Sequence, residues 1–147
     1  HGRPVQVICR SATTLRSTDD PALATPFDAV VCVDAAYHLS PRRGWLKAMH
    51  ALLRPGGRLA YTDLVLDGPA GRRGALLAAA ARLCRVPPDD LLRLPAQLQR
   101  LRDSGFASAQ AKRLDEAVLG GFSRFARQQE QALGLRPWQA GWLRQVE

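Results

Sequence analysis

Between Phe27 and Leu66 the chain reads FDAVVCVDAAYHLSPRRGWLKAMHALLRPGGRLAYTDLVL, and this stretch limits the fold more than any other. It opens with Ala29-Val30-Val31-Cys32-Val33, a β-branched apolar run of strand length that stops at a carboxylate, Asp34. An unbroken apolar run suits a strand buried on both faces, as in a parallel sheet covered by helices. Ser40-Pro41 then supplies an N-cap followed by proline at the first helical position. Trp45, Met49, Leu52 and Leu53 recur at helical spacing, with Lys47 and His50 on the other side. That spacing predicts a helix over about residues 41–53, with Trp45 as a core anchor and His50 toward solvent. Pro55-Gly56-Gly57 stops the helix, since proline cannot continue it and glycine accepts a left-handed cap. A second strand, Arg58 to Leu66, carries another carboxylate, Asp63. Strand, helix, turn and strand make a βαβ unit, so 28–34 and 58–66 are expected as adjacent parallel strands.

Upstream, Val5-Gln6-Val7-Ile8-Cys9 reads as a short strand, and Arg16 to Thr25 as a polar loop leading to Pro26. Downstream, Asp67 to Gly71 is a turn cluster. Arg72 to Arg85 is built of good helix formers and ends at Val86-Pro87-Pro88. Asp89-Asp90 caps a short helix through Leu92. Leu94-Pro95 opens another, with Leu98, Leu101 and Phe106 inward and Gly105 as its terminal cap. Asp115 to Leu133 reads as an amphipathic helix with Val118, Phe122, Phe125 and Leu133 inward, weakened at Gly120-Gly121. A tail from Arg136 to Glu147 holds Trp138 and Trp142 one turn apart.

A chain of 147 residues is expected to form one domain, residues 1–147, with a real core. No apolar run approaches the ~20 residues of a membrane span. His1-Gly2-Arg3-Pro4 lacks an initiator methionine and a signal-peptide pattern, so it reads as a truncated beginning and the location as cytoplasmic. Cys9, Cys32 and Cys84 lie far apart with no CxxC pair, and buried free thiols are expected. The net charge of +8 comes almost wholly from arginine. Those arginines (Arg42, Arg43, Arg72, Arg73, Arg100, Arg102 among them) are scattered and seldom interleaved with aromatics. A solvated basic surface is expected, with no specific nucleic-acid groove. No HxxxH or paired-carboxylate spacing suggests a metal site.

FDAVVCVDAAYHL followed by LRPGGRLAYTDLVL resembles the second half of a class I S-adenosylmethionine-dependent methyltransferase, of the small-molecule branch that includes the ubiquinone/menaquinone enzymes. The resemblance spans roughly residues 5 to 125. It implies an α/β class: a partial Rossmann-like fold, mostly parallel sheet flanked by helices. It also implies a strand over about Ala107 to Leu114. The family's first strand ends in a Gly-x-Gly-x-Gly turn, and a carboxylate after the second strand holds the ribose. No glycine turn of that spacing occurs in this chain, so the N-terminal strands that carry it are missing. Without them, Val5–Cys9 must pair directly beside Ala29–Val33 or stand as a poorly packed edge. The expectation is a marginal chain, one that a homo-oligomer or a partner chain would cover along the exposed sheet edge.

The chemistry follows from the strand ends, where ligands of open α/β sheets bind. By resemblance, Asp34 and Ala35 face the methionine part of S-adenosylmethionine, and Ser11 and Ala12 stand where the family's Asp-Ala pair meets adenine. His38 is the candidate base for a small-molecule methyl acceptor, Asp63 its candidate carboxylate partner, and Tyr37 a wall of the acceptor pocket. Histidine suits proton abstraction near neutral pH. Two other readings stay open: an inactive methyltransferase-like remnant serving as an interaction module, and a basic RNA-binding or RNA-modifying domain. The missing glycine turn favours the remnant. The Tyr37-His38 pair, where RNA-modifying relatives often carry an Asn/Asp-Pro-Pro-Tyr-like motif, favours the small-molecule enzyme over the RNA domain.

Overall fold

The computed structural model describes residues 5–66 and 73–133. Strand β1 (Phe27–Cys32), helix α1 (Arg42–Leu52) and strand β2 (Leu53–Tyr61) form the expected βαβ unit, and β1 pairs with β2 in parallel. Helices α2 (Arg73–Leu83), α3 (Leu94–Asp103) and α4 (Gly121–Leu133) follow. Single 3-10 turns lie at Pro21–Leu23, Ala36–His38 and Pro88–Asp90, and a π-helical turn at Glu116–Gly120 leads into α4. The chain divides into two compact units, His1–Gln110 and Ala111–Glu147. The first is α/β, a two-stranded parallel sheet with helices, consistent with part of a Rossmann-like fold.

The β2 strand differs from expectation at both ends. It begins at Leu53, directly after α1, and takes Pro55-Gly56-Gly57 into the pairing. The register runs Phe27 to Leu53 and then Ala29 to Arg58, so the extra β2 residues bulge out. Gly56 makes that bulge with φ 77°, and Gly57 lets the strands close. A Cβ on Gly57 would sit 2.9 Å from the Arg54 carbonyl and 3.0 Å from that of Phe27. At the far end regular pairing stops at Tyr61, short of the expected Leu66, although Leu66 makes an isolated parallel bridge to Arg93.

The core lies between the sheet and α1. Leu23, Ala36, Trp45, Leu46, Met49 and Leu52 are buried together, with Val30, Leu59 and Tyr61 of the strands and Leu101 and Phe106 packed against them. Trp45 is the anchor expected, 1% exposed and edge-on to Tyr61 at 5.3 Å between ring centres. His50 is exposed, its ring set edge-on to Phe106.

Several expectations need correction. Val5–Cys9 forms no strand; Val5 and Val7 are 90% and 89% exposed while Ile8 alone reaches the core. The segment takes the poorly packed alternative, because the two-stranded sheet offers it no pairing. Ala107 to Leu114 forms no strand either. Its sequence, ASAQAKRL, has no β-branched or aromatic residue to favour one. Cys9 and Cys84 are exposed and Cys32 half-buried, all three free. Val118, Phe122 and Phe125, expected inward, are exposed, and the residues buried near them are Ser123 and Ala126. Arg42, counted among surface arginines, is 1% exposed. In α3 the buried residue is Gln97, with Leu98 and Leu101 half-covered. The turn cluster at Asp67–Gly71, the Leu133 side chain and the tail with Trp138 and Trp142 lie outside the described residues.

Candidate active site

The chain leaves β1 through Val33 and turns sharply at Asp34. Thr62, just past β2, makes the turn: its N–H donates to the Cys32 carbonyl (3.1 Å) and its hydroxyl accepts from the Asp34 N–H (2.7 Å). Asp34 takes left-handed backbone, φ 55°, which aspartate tolerates better than most residues. Residues Ala36–His38 then wind one 3-10 turn, with His38 N–H on the Ala35 carbonyl and Leu39 N–H on that of Ala36. Ala36 is wholly buried and pins the turn, while Tyr37 is half-buried and His38 exposed.

The Tyr37 hydroxyl reaches back and donates to Asp34 Oδ1 at 2.5 Å. That bond first, then burial and the carboxylate's charge, push the phenol up to about 12. At neutral pH it is therefore a donor, not an anion. The Tyr37 and His38 rings lie tilted against each other, 4.4 Å between centres. His38 Nδ1 is 3.1 Å from the carbonyl of Arg85, forty-seven positions on, at the end of α2.

Asp63 is held elsewhere. Its Oδ2 accepts from Arg42 Nη1 at 2.5 Å and from Gln97 Nε2 at 3.4 Å, and its Oδ1 accepts from the Leu64 N–H. Burial pushes the Asp63 carboxyl up, opposed by the Arg42 guanidinium. Asp90 extends the cluster. Its Oδ1 accepts from Arg100 Nη1 at 2.6 Å, its Oδ2 from the Arg42 N–H, and its carbonyl from Gln97 Nε2. Asp90 thus caps the N-terminus of α1 from a distant segment, a service expected of Ser40. Arg42 Nε and Gln97 Oε1 are buried with no hydrogen-bond partner among the described residues. The Arg42 guanidinium also lies 5.8 Å from the Trp45 ring centre. Burial raises the neighbouring Cys32 thiol and pushes Tyr61 up to about 12.

Asp34, Ala35, Tyr37 and His38 are therefore gathered in one turn at the end of β1. Asp63 faces Arg42, and no hydrogen bond joins it to His38 among the described residues. Ser11 is exposed and shares a hydrogen bond with Thr13 (2.9 Å), while Ala12 packs on the core. Thr13 to Ser17 line an open hollow against Gly44, Lys47 and Ala48 of α1. Sequence reasoning missed Arg42, Thr62, Asp90 and Gln97. Arg42 carried a weak signal: a cation in the first turn opposes the helix dipole, an effect that a nearby anion offsets. Gln97 carried none. Among the described residues no group of three or more His, Cys, Asp or Glu side chains is placed to hold a metal, and no helix is long and apolar enough to cross a membrane.

A parallel βαβ unit with a polar turn at the carboxyl end of its first strand places that turn where open α/β sheets bind their ligands. Residues 2–61 match the family model described as a methyltransferase domain. Erythromycin 3''-O-methyltransferase of Saccharopolyspora erythraea is 26% identical over 142 residues, covering 89% of this chain and 40% of its own length. O-methyltransferase resE of Aspergillus sclerotiorum is 34% identical over 107 residues, covering 72% of this chain and 39% of its own length. O-methyltransferase rstn1 of Aspergillus nomiae is 36% identical over 77 residues, 50% of this chain and 34% of its own. These matches support a class I S-adenosylmethionine-dependent methyltransferase. It spans about two-fifths of the length of the first two relatives. No solved structure matches it significantly.

Proposed function

We propose that this chain is the catalytic-turn part of an S-adenosylmethionine-dependent O-methyltransferase acting on a hydroxyl of a small or lipid-like molecule. We take residues 1–147 as one methyltransferase-like domain, working in the cytoplasm. The observation that carries the reading is the Asp34–Tyr37–His38 turn, which presents a carboxylate, a phenol and an exposed imidazole together at a strand end. The exposed Asp34 carboxylate, beside the Ala35 backbone, fits the cationic methionine end of the cofactor, with Ser11 and Ala12 toward its adenine. When bound, S-adenosylmethionine supplies an electrophilic methyl group. Tyr37 walls the acceptor, and His38 takes the hydroxyl proton as the oxygen becomes nucleophilic. Asp63 serves this turn indirectly, by holding the end of β2 on which Thr62 anchors Asp34. The acceptor hydroxyl is inferred from the names of the three relatives, all O-methyltransferases.

Steady-state kinetics test this in a form of the protein extended upstream to include a Gly-x-Gly-x-Gly turn. His38→Ala is expected to lower turnover about a hundredfold or more while cofactor affinity stays within about threefold. An unchanged turnover would make His38 structural. A second reading, an inactive remnant serving as an interaction module, draws on Val31 of β1 and Val33 just past it, both 68% exposed. Under it the extended protein binds no cofactor at all.

A further inference from the structure

We propose that the Arg85 carbonyl, presented by the C-terminal cap of α2, fixes neutral His38 as its Nδ1–H tautomer and so makes Nε2 the basic atom. This rests on the reading of His38 as the base, and it names the group that positions it. A backbone carbonyl only accepts, so the 3.1 Å contact requires the proton on Nδ1. The lone pair is then on Nε2, the nitrogen turned away from that carbonyl.

The cap that aims the carbonyl is well defined. Arg85 has left-handed backbone, φ 57°. Its N–H donates to the Arg82 carbonyl (3.0 Å), and the Val86 N–H donates to that of Ala81 (2.7 Å). These are the two bonds of a Schellman motif, with Val86 and Ala81 both buried beneath it. An arginine occupies the position where glycine is usual, so the cap holds its shape against a steric cost. The reversed chain leaves the Arg85 carbonyl pointing out of the helix end, where His38 meets it. Proton transfer to Nε2 keeps this arrangement: the acceptor O–H bond breaks, the proton joins the Nε2 lone pair, and Nδ1–H still donates to Arg85, because an imidazolium donates from both nitrogens. The carbonyl therefore does the orienting that a carboxylate does in a Ser-His-Asp triad. Arg85 is a positioning residue through its backbone, and its guanidinium has no part in this role.

Nitrogen-15 spectroscopy of the 147-residue chain reads the tautomer directly, through the couplings from the ring protons to each nitrogen above the histidine titration range. His38 is expected in the Nδ1–H form, opposite to the Nε2–H form that free imidazole side chains prefer. Arg85→Gly keeps the left-handed cap and is expected to keep the tautomer. Arg85→Val, β-branched and disfavoured at positive φ, is expected to shift His38 toward Nε2–H. Finding wild-type His38 as Nε2–H overturns the proposal, whether or not the valine variant folds. So does an unchanged tautomer in a folded Arg85→Val. Loss of turnover in His38→Ala with an Nε2–H wild type would leave His38 as the base and sink only the carbonyl's role. The Nδ1–H form with unchanged turnover in His38→Ala would do the reverse.

Discussion

At the scale of single residues, the Arg42–Asp63 pair sets the strongest constraint on this molecule. Both side chains leave water; Asp63 also accepts from Gln97 and the Leu64 N–H, while Arg42 Nε has no hydrogen-bond partner among the described residues. Removing one partner of a buried pair strands the other charge and costs about 3–5 kcal/mol. Arg42→Met is expected to destabilise the chain by that much in urea unfolding, and Arg42→Met/Asp63→Leu to recover most of it. An Arg42→Met variant within about 0.5 kcal/mol of wild type would show the pair to be dispensable. The two tyrosines give a second test, since Tyr37 and Tyr61 are the only ones in the chain. Both are raised from 10.0 to about 12, Tyr37 chiefly by its bond to Asp34 and Tyr61 chiefly by burial. The folded state thus keeps protons that the unfolded chain releases. Their contribution to stability is whole below pH 10 and is lost as pH rises from 10 to 12. Absorbance near 295 nm should show little tyrosinate in the folded chain at about pH 11 and mostly tyrosinate in urea. An ordinary midpoint near 10 for either tyrosine would mean its contact is not made in solution.

At the scale of elements, the two glycines of β2 do different work. Gly56 needs left-handed backbone but has open space where a Cβ would go. Gly57 has ordinary backbone but no space, because fixed carbonyls of both strands approach it. Gly56→Ala is expected to cost about 1–2 kcal/mol, the strain of the left-handed conformation alone. Gly57→Ala should cost more and lower hydrogen-exchange protection along β1 and β2, because relief requires the strands to separate. Equal costs for the two would refute this account of the bulge. The PGG turn was legible as a break after α1, but its incorporation into β2 was not. Periodicity marks where a helix stops; it does not say that the partner strand's Phe27 will lie beside Leu53.

At the scale of the whole molecule, the sheet is too narrow for the surface it carries. Val31, Val33, Val5 and Val7 face solvent, and α4 exposes Phe122 and Phe125. The 147-residue chain by itself is expected to melt broadly and to associate as concentration rises. A sharp, concentration-independent melt at high temperature would contradict this. Cofactor binding belongs to the same scale. The glycine turn and second-strand carboxylate of the family supply charge-assisted hydrogen bonds of roughly 1.5–3 kcal/mol each. Without two such bonds affinity falls about a hundredfold or more. Calorimetry with S-adenosylmethionine on this chain should detect very weak binding or none, and micromolar affinity would mean that other residues assemble the site.

What the sequence by itself determined is whatever depends on local order: the βαβ unit with its parallel strands, Trp45 as the core anchor, and the grouping of Asp34, Ala35, Tyr37 and His38. Those residues are near neighbours along the chain, and a single 3-10 turn suffices to gather them. Tertiary structure alone decided the partners. Asp63 turned to Arg42, Asp90 came to cap α1 across 48 positions, and His38 met the carbonyl of Arg85. The reason is physical. Burial and charge pairing are settled by which distant groups lose water together, and no spacing or propensity within a segment records that.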